Sequence, residues 1–183
     1  MRYAILEREV VRWRAGINKK KKLRWYSYLK QDWGQAGYLH LETKFKEGRA
    51  QVTNLRSGTN SLRIETGRRA ATSRQKRLPR SERKCLICMG DQVEDEAHFL
   101  VHCPEYDRQR QKMFERIEEA TKGKITAERL QRMKEDRNQL GGLMRLLIGD
   151  RVKLGVSAAV AVFCEREMRR RAGIVKRYLD GGF

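Results

Sequence analysis

The sequence predicts a mainly α protein. It should comprise a helical N-terminal segment, a small Cys3His segment and a helical C-terminal bundle. Three observations carry this expectation. Apolar residues recur at helical spacing before and after the cysteines. Three of the four cysteines and a histidine fall within nineteen residues. The apolar run Leu154 to Cys164 leads into an arginine-rich stretch that keeps a helical stripe. At 183 residues with 39% hydrophobic side chains, one domain, or one and a small module, with a modest core is expected.

In chain order, Leu6, Val10, Trp13 and Ile17 share one face of a first helix. Lys19 to Lys22 connect it to a second, where Trp25, Leu29 and Trp33 recur every four residues and Gly34 and Gly37 stop it. The aromatic residues read mainly as helix-packing core. Tyr38 to Arg56 is mostly helical, with Phe45, Val52 and Leu55 apolar, and Ser57-Gly58-Thr59-Asn60 is a turn. A flexible cationic linker runs over 70–84, after a helical basic region 1–69. Residues 85–106 form the metal-binding segment and 107–183 the C-terminal helices. There Pro104 opens a helix whose inner face holds Tyr106, Met113, Ile117 and Ala120, with Phe114 adjacent. Thr126 caps a short helix to about Asp136, and Leu140–Ile148 and Val152–Leu179 complete the bundle. In the last helix Met168, Ala172, Val175 and Leu179 continue a packing stripe beneath Arg166, Arg169, Arg170 and Arg171.

Lys+Arg outnumber Asp+Glu by 42 to 23, a formal charge of +19. Its distribution is uneven: +16 over residues 1–84, −5 over 85–106 and +8 over 107–183. Such a surplus on a small chain points to a polyanionic partner, with a solvated basic surface as the simpler alternative. The candidate phosphate contacts are Lys19, Lys20, Lys21, Lys22, Arg68, Arg69, Arg74, Lys76, Arg77, Arg80, Arg83 and Lys84. No apolar run is long enough to span a bilayer and no signal peptide is evident, so secreted and membrane readings are disfavoured. An intracellular protein is expected, and the basic runs are compatible with the nucleus.

Cys85-x2-Cys88-x9-His98-x4-Cys103 is the most specific pattern in the chain. Two cysteines two residues apart reach one ion from a tight turn, which Met89-Gly90 suits, and a histidine and cysteine five apart complete a tetrahedral set. Zinc fits this donor set, because Cys3His closes the sphere and leaves no position for a catalytic water. A disulfide framework loses for want of a secretory signal and because the cluster is odd. His98 is preferred to the adjacent His102, which leaves no spacer before Cys103. Cys164, in the apolar run, reads as a buried core thiol, and His40 as structural or exposed. The acids Asp91, Glu94, Asp95 and Glu96 read as a solvated rim that repels phosphate.

Lys22-Leu23-Arg24-Trp25-Tyr26, Val52-Thr53-Asn54-Leu55-Arg56-Ser57-Gly58 and Leu62-Arg63-Ile64-Glu65-Thr66-Gly67-Arg68 lead into Cys85-Leu86-Ile87-Cys88. They are followed by Glu94-Asp95-Glu96-Ala97-His98-Phe99-Leu100 and Cys103-Pro104. This order resembles the C-terminal region of reverse transcriptases from non-LTR (LINE-type, jockey-like) retrotransposons, over roughly residues 20–108. The resemblance implies that Cys85, Cys88, His98 and Cys103 are zinc ligands of a segment that helps bind template RNA or target DNA. The chain departs from the family in having no Asp-Asp pair, and it is too short for a polymerase palm and fingers.

The leading function is therefore a zinc-stabilised nucleic-acid-binding module, for RNA, DNA or both, without polymerase or nuclease. The alternative is a zinc-dependent protein–protein interaction module whose acidic loop faces a basic partner. An enzyme is the third reading, and no residue is assigned a catalytic role: zinc-bound thiolates in a closed site are not free nucleophiles. Neither Gly-x-x-x-x-Gly-Lys nor Gly-x-Gly-x-x-Gly occurs.

Overall fold

The computed structural model describes residues 2–30, 33–69 and 77–181. It is mainly helical, and among the described residues the only extended pairing is one antiparallel bridge between Lys84 and Val93. In chain order the helices are α1 (Arg2–Asn18), α2 (Arg24–Leu29), α3 (Lys46–Ser57) and α4 (Arg63–Thr66). They continue as α5 (Asp107–Thr121), α6 (Ala127–Glu135), α7 (Leu140–Ile148) and α8 (Leu154–Leu179).

The spine is α8. Its first half carries small and apolar residues, and Val156, Ala159, Val160, Phe163, Cys164 and Met168 are buried along it. α3 packs along one side and α5 along another, while α6 and α7 follow α5 and close the bundle. α2 sits against α3 and α7, and α1 packs on α2. One continuous set of buried side chains runs from Leu29 to Met168 and includes Cys85, Phe99, Leu100, Val101 and Cys103 of the metal segment. That segment is thus packed into the core.

The close approach of α3 to α8 depends on Gly48, where a Cβ would lie 2.4 Å from the carbonyl oxygen of Ala161. The end of α3 is set by Gly58, whose left-handed φ of 63° is a conformation other residues adopt at a cost. α6 starts as expected: the Thr126 hydroxyl accepts a 3.2 Å hydrogen bond from the Arg129 amide.

Several local expectations are corrected. The second helix ends at Leu29 rather than continuing through Trp33, which is 53% exposed and meets Trp13 edge-on at 5.3 Å. A tertiary anchor explains the early stop. Asp150, after α7, accepts from Arg56 at 2.5 Å and pairs with Lys30 at 3.4 Å, and its carbonyl accepts from the Gly37 amide at 2.8 Å. Tyr38 to Phe45 forms two short 3-10 turns, Gly37–His40 and Thr43–Phe45, before α3 begins. The last helix starts at Leu154, two residues late. Ala120 is exposed, whereas Tyr106, Met113, Phe114 and Ile117 are buried as expected. Of the stripe assigned to the end of α8 only Met168 is buried; Leu179 is 70% exposed and Arg171 is buried. No helix among the described residues is long and apolar enough to cross a membrane.

Gly48→Ala is expected to force α3 from α8 and lower the unfolding free energy by about 1–3 kcal/mol in urea denaturation. Gly16→Ala, on the open side of α1 with nothing within 4 Å, is expected to raise it by about 0.5–1 kcal/mol.

Candidate metal centre and its surroundings

The four residues singled out by spacing converge. The Sγ atoms of Cys85, Cys88 and Cys103 and a ring nitrogen of His98 all lie within 4.8 Å of one another. Cys88 Sγ and His98 Nε2 are 3.5 Å apart. A cation about 2.3 Å from sulfur and about 2.0–2.1 Å from nitrogen, at tetrahedral angles, sets sulfur–nitrogen edges near 3.6 Å. The cluster therefore has the size and donors to hold a metal ion. His102 is not part of it; it lies half-buried beside the centre.

Local backbone geometry places each donor. Lys84 pairs with Val93, and the Cys85 amide donates to the Gln92 carbonyl at 3.1 Å, so residues 84–93 fold back as a hairpin-like loop. At its tip Met89 takes a positive φ of 54°, and the Ile87 amide points at Cys85 Sγ from 3.4 Å. His98 and Cys103 lie at the start and just beyond the end of a π-helical turn, His98–His102. The Cys103 amide donates to the His98 carbonyl at 2.7 Å, which fixes the spacing of the two donors. The His98 amide in turn donates to Asp95 Oδ1 at 3.0 Å.

The ring of His98 is oriented from behind. Its Nδ1 lies 3.1 Å from Gln92 Oε1, an arrangement that holds the proton on Nδ1 and leaves Nε2 free to ligate. With protons in place of a cation, the three thiols are unequal. Cys85 is pulled down, first by the hydrogen bond of the Cys103 thiol and then by His98 and the Cys88 and Ile87 amides, against the cost of burial. Cys103 moves up, chiefly as the donor to Cys85, and Cys88 moves up by burial. A lone thiolate among thiols is the start of a cation site, since a bound ion removes the remaining protons. Cys164 stands apart, fully buried and with its thiol pushed up by desolvation.

Three of the four acids read as a solvated rim, Glu94, Asp95 and Glu96, face inward, which corrects that reading for them. Glu94 is 1% exposed and forms a two-pronged ion pair with Arg171 of α8, both contacts at 2.6 Å. Its Oε2 also accepts from the Arg63 amide at 2.7 Å, and its Oε1 lies 3.8 Å from Cys85 Sγ. Asp95 accepts from Arg24 at 3.1 Å and Arg80 at 2.9 Å. Glu96 is buried against Asn60 at 2.9 Å, and desolvation raises its carboxyl to about 7. Of the four, Asp91 alone projects into solvent, where it pairs with Lys84 at 2.6 Å. Arg110, to which the sequence analysis assigns no role, is buried. Its guanidinium donates to the carbonyls of Leu100 and Cys103, each at 2.9 Å, and so braces the turn that carries two ligands. Its short distance from Cys103 in the chain was the available signal.

The candidate phosphate contacts divide into groups. Lys19, Lys20, Lys22, Arg69 and Arg77 are exposed and make no ion pair among the described residues. Arg68 pairs with Glu65, Arg80 with Asp95 and Lys84 with Asp91, so these cations are partly neutralised. Arg83 is structural: it donates to the carbonyls of Leu78 and Ile64 and fastens the end of the linker to α4. That end, 77–84, is therefore folded rather than a free arm. Arg74 and Lys76 lie outside the described residues, and of Lys21 only the backbone is described. No family model, curated protein or solved structure matches this chain.

Removing one partner of the buried Glu94–Arg171 pair, as in Glu94→Ala, is expected to cost about 3–5 kcal/mol in chemical denaturation. Glu96→Gln is expected to behave oppositely. The unfolded carboxyl ionises near 4.5 and the folded one near 7, so wild-type stability falls as pH rises between those values. Gln cannot ionise, so the variant should lack that fall and gain at most about 3 kcal/mol above pH 7, read from denaturation curves across pH.

Proposed function

We propose that this chain is a zinc-stabilised nucleic-acid-binding module. The observation that carries the proposal is the direction of its charges. The metal segment turns Glu94, Asp95 and Glu96 inward, while Lys19, Lys20, Lys22, Arg69 and Arg77 face water. Among the described residues burial hides three arginines and five acids, so the cationic surplus of the sequence is not taken up by the interior. The fold also holds like charges together: Arg68 and Arg80 both depress the Arg83 guanidinium, after the larger effect of its burial. Since Arg68 and Arg80 are paired and Arg83 braces the backbone, the cations left for phosphates are Lys19, Lys20, Lys22, Arg69 and Arg77.

Zinc is the metal we assign, since three thiolates and an imidazole suit its tetrahedral preference and leave no open position for chemistry. The role of the ion is then to hold the loop 84–103 in shape, and the module has no catalytic step of its own. The order of motifs around the site supports descent from the tail of a non-LTR reverse transcriptase, with zinc ligands at Cys85, Cys88, His98 and Cys103. A module of this kind works where RNA or DNA is found, and its basic runs favour the nucleus.

Two measurements test this. Affinity for duplex DNA and structured RNA should fall about 100- to 500-fold between 50 and 200 mM salt if four or five phosphates are contacted. Each alanine at Lys19, Lys20, Lys22, Arg69 or Arg77 should reduce the salt slope by about one. A flat salt dependence contradicts the proposal. Chelation, or Cys85→Ser, should abolish cooperative unfolding of the metal segment together with binding, and zinc but not magnesium should restore the chelated protein.

A further inference from the structure

Beside the metal centre lies a groove of about 880 Å³. One wall is α2, with Arg24, Trp25, Ser27 and Tyr28; the other is the metal segment, with Gln92, Val93 and His98 among its residues. Leu140 and Gly141, at the start of α7, close the end. Its volume falls within the range of about 300–1,000 Å³ typical of small-ligand sites. We propose that this groove takes unpaired bases, so that the chain selects single-stranded over duplex nucleic acid. The inference rests on the nucleic-acid reading above and deepens it.

Three features support a base as the occupant. The groove presents two aromatic rings side by side: Trp25 and Tyr28 meet edge-on with centroids 6.0 Å apart, and Tyr28 remains 39% exposed. Each ring is accompanied by an arginine. The Arg24 guanidinium lies 5.4 Å from the Trp25 centroid and that of Arg145 lies 4.3 Å from Tyr28. Arg145 lies outside the groove lining and Arg24 is paired with Asp95, so these cations hold the two rings in place and leave the rings as a stacking surface for a base. The exposed Lys20 and Lys22 precede α2 directly and extend the cationic path toward the groove.

The third feature is chemical. Ser27, Gln92 and His102 add polar groups beside the apolar Val93, Ala97 and Leu140, and Asp95, the one acid in the lining, is paired with Arg24 at 3.1 Å. Base edges need such donors and acceptors, and phosphates alone do not. The absence of a side chain at Gly141 lets Tyr28 approach α7 closely, since a Cβ there would lie 2.5 Å from the phenol oxygen. Duplex DNA or RNA keeps its bases stacked inside the helix and cannot enter. Because His98 and Gln92 belong both to the metal centre and to the groove wall, the ion that shapes one also shapes the other.

The test uses the zinc-loaded full chain with a short oligo-deoxythymidine, an oligo-uridine, a duplex of equal length and an abasic strand. Both single strands should bind more tightly than the duplex and quench tryptophan fluorescence, and their ratio reports the preference between DNA and RNA. Loss of a stacked base, in the abasic strand or in Tyr28→Ala, should weaken single-strand binding about 5- to 150-fold. Tyr28→Ala should leave duplex binding unchanged, and Tyr28→Phe should retain single-strand binding. Circular dichroism and melting of Tyr28→Ala establish that it folds. Should it fail to fold, the abasic comparison on the unaltered protein decides. Equal affinity for single, duplex and abasic strands, with a normal salt slope, overturns the base groove alone. Absence of salt-dependent binding to every probe overturns the nucleic-acid reading and the groove with it.

Discussion

The buried pair of Glu94 and Arg171 ties the molecule together. Its carboxylate contacts α8 through Arg171, α4 through the Arg63 amide and the Cys3His cluster through Cys85. Three chain segments distant in sequence thus meet on one side chain. A charge pair this deeply buried is costly to desolvate, and what makes it tolerable is that both carboxylate oxygens are engaged. Its structural consequence is to fix the loop 84–103 against the spine of the bundle, so that the ligand cluster is a continuation of the core.

Around that anchor the fold uses arginine as internal scaffolding to an unusual degree. Arg56, Arg110 and Arg171 are nearly inaccessible, and two of them donate to backbone carbonyls at chain turns. The planar, five-donor guanidinium suits this task, because one side chain can satisfy several carbonyls that no helix or strand has paired. Among the described residues these three buried arginines are outnumbered by five buried acids, so burial does not diminish the cationic surface. Exposed lysines and arginines outnumber exposed acids both before and after the loop 84–103 among the described residues.

The sequence revealed what depends on short spacing. Ligands within nineteen residues, the Thr126 cap, the bounds of α7 and the apolar first half of α8 are set by neighbours in the chain and could be read from it. What it concealed depends on partners far away. Arg171 looked like one of four arginines over a packing stripe, because nothing nearby marks it as the partner of an acid 77 positions earlier. Glu94, Asp95 and Glu96 looked solvated for the same reason. Trp33 kept the helical period of Trp25 and Leu29, yet anchoring of Lys30 and Gly37 to Asp150 ended the helix first. Tertiary anchors overrode local periodicity in each case.

The central claim is that the ion organises the segment on which the charged surface and the groove both depend. It is tested most directly by zinc-edge X-ray absorption on the purified chain. The expected spectrum contains three sulfurs at about 2.3 Å and one nitrogen at about 2.0–2.1 Å, with one zinc per chain. A shell of oxygen and nitrogen only, or protein without zinc, would contradict it.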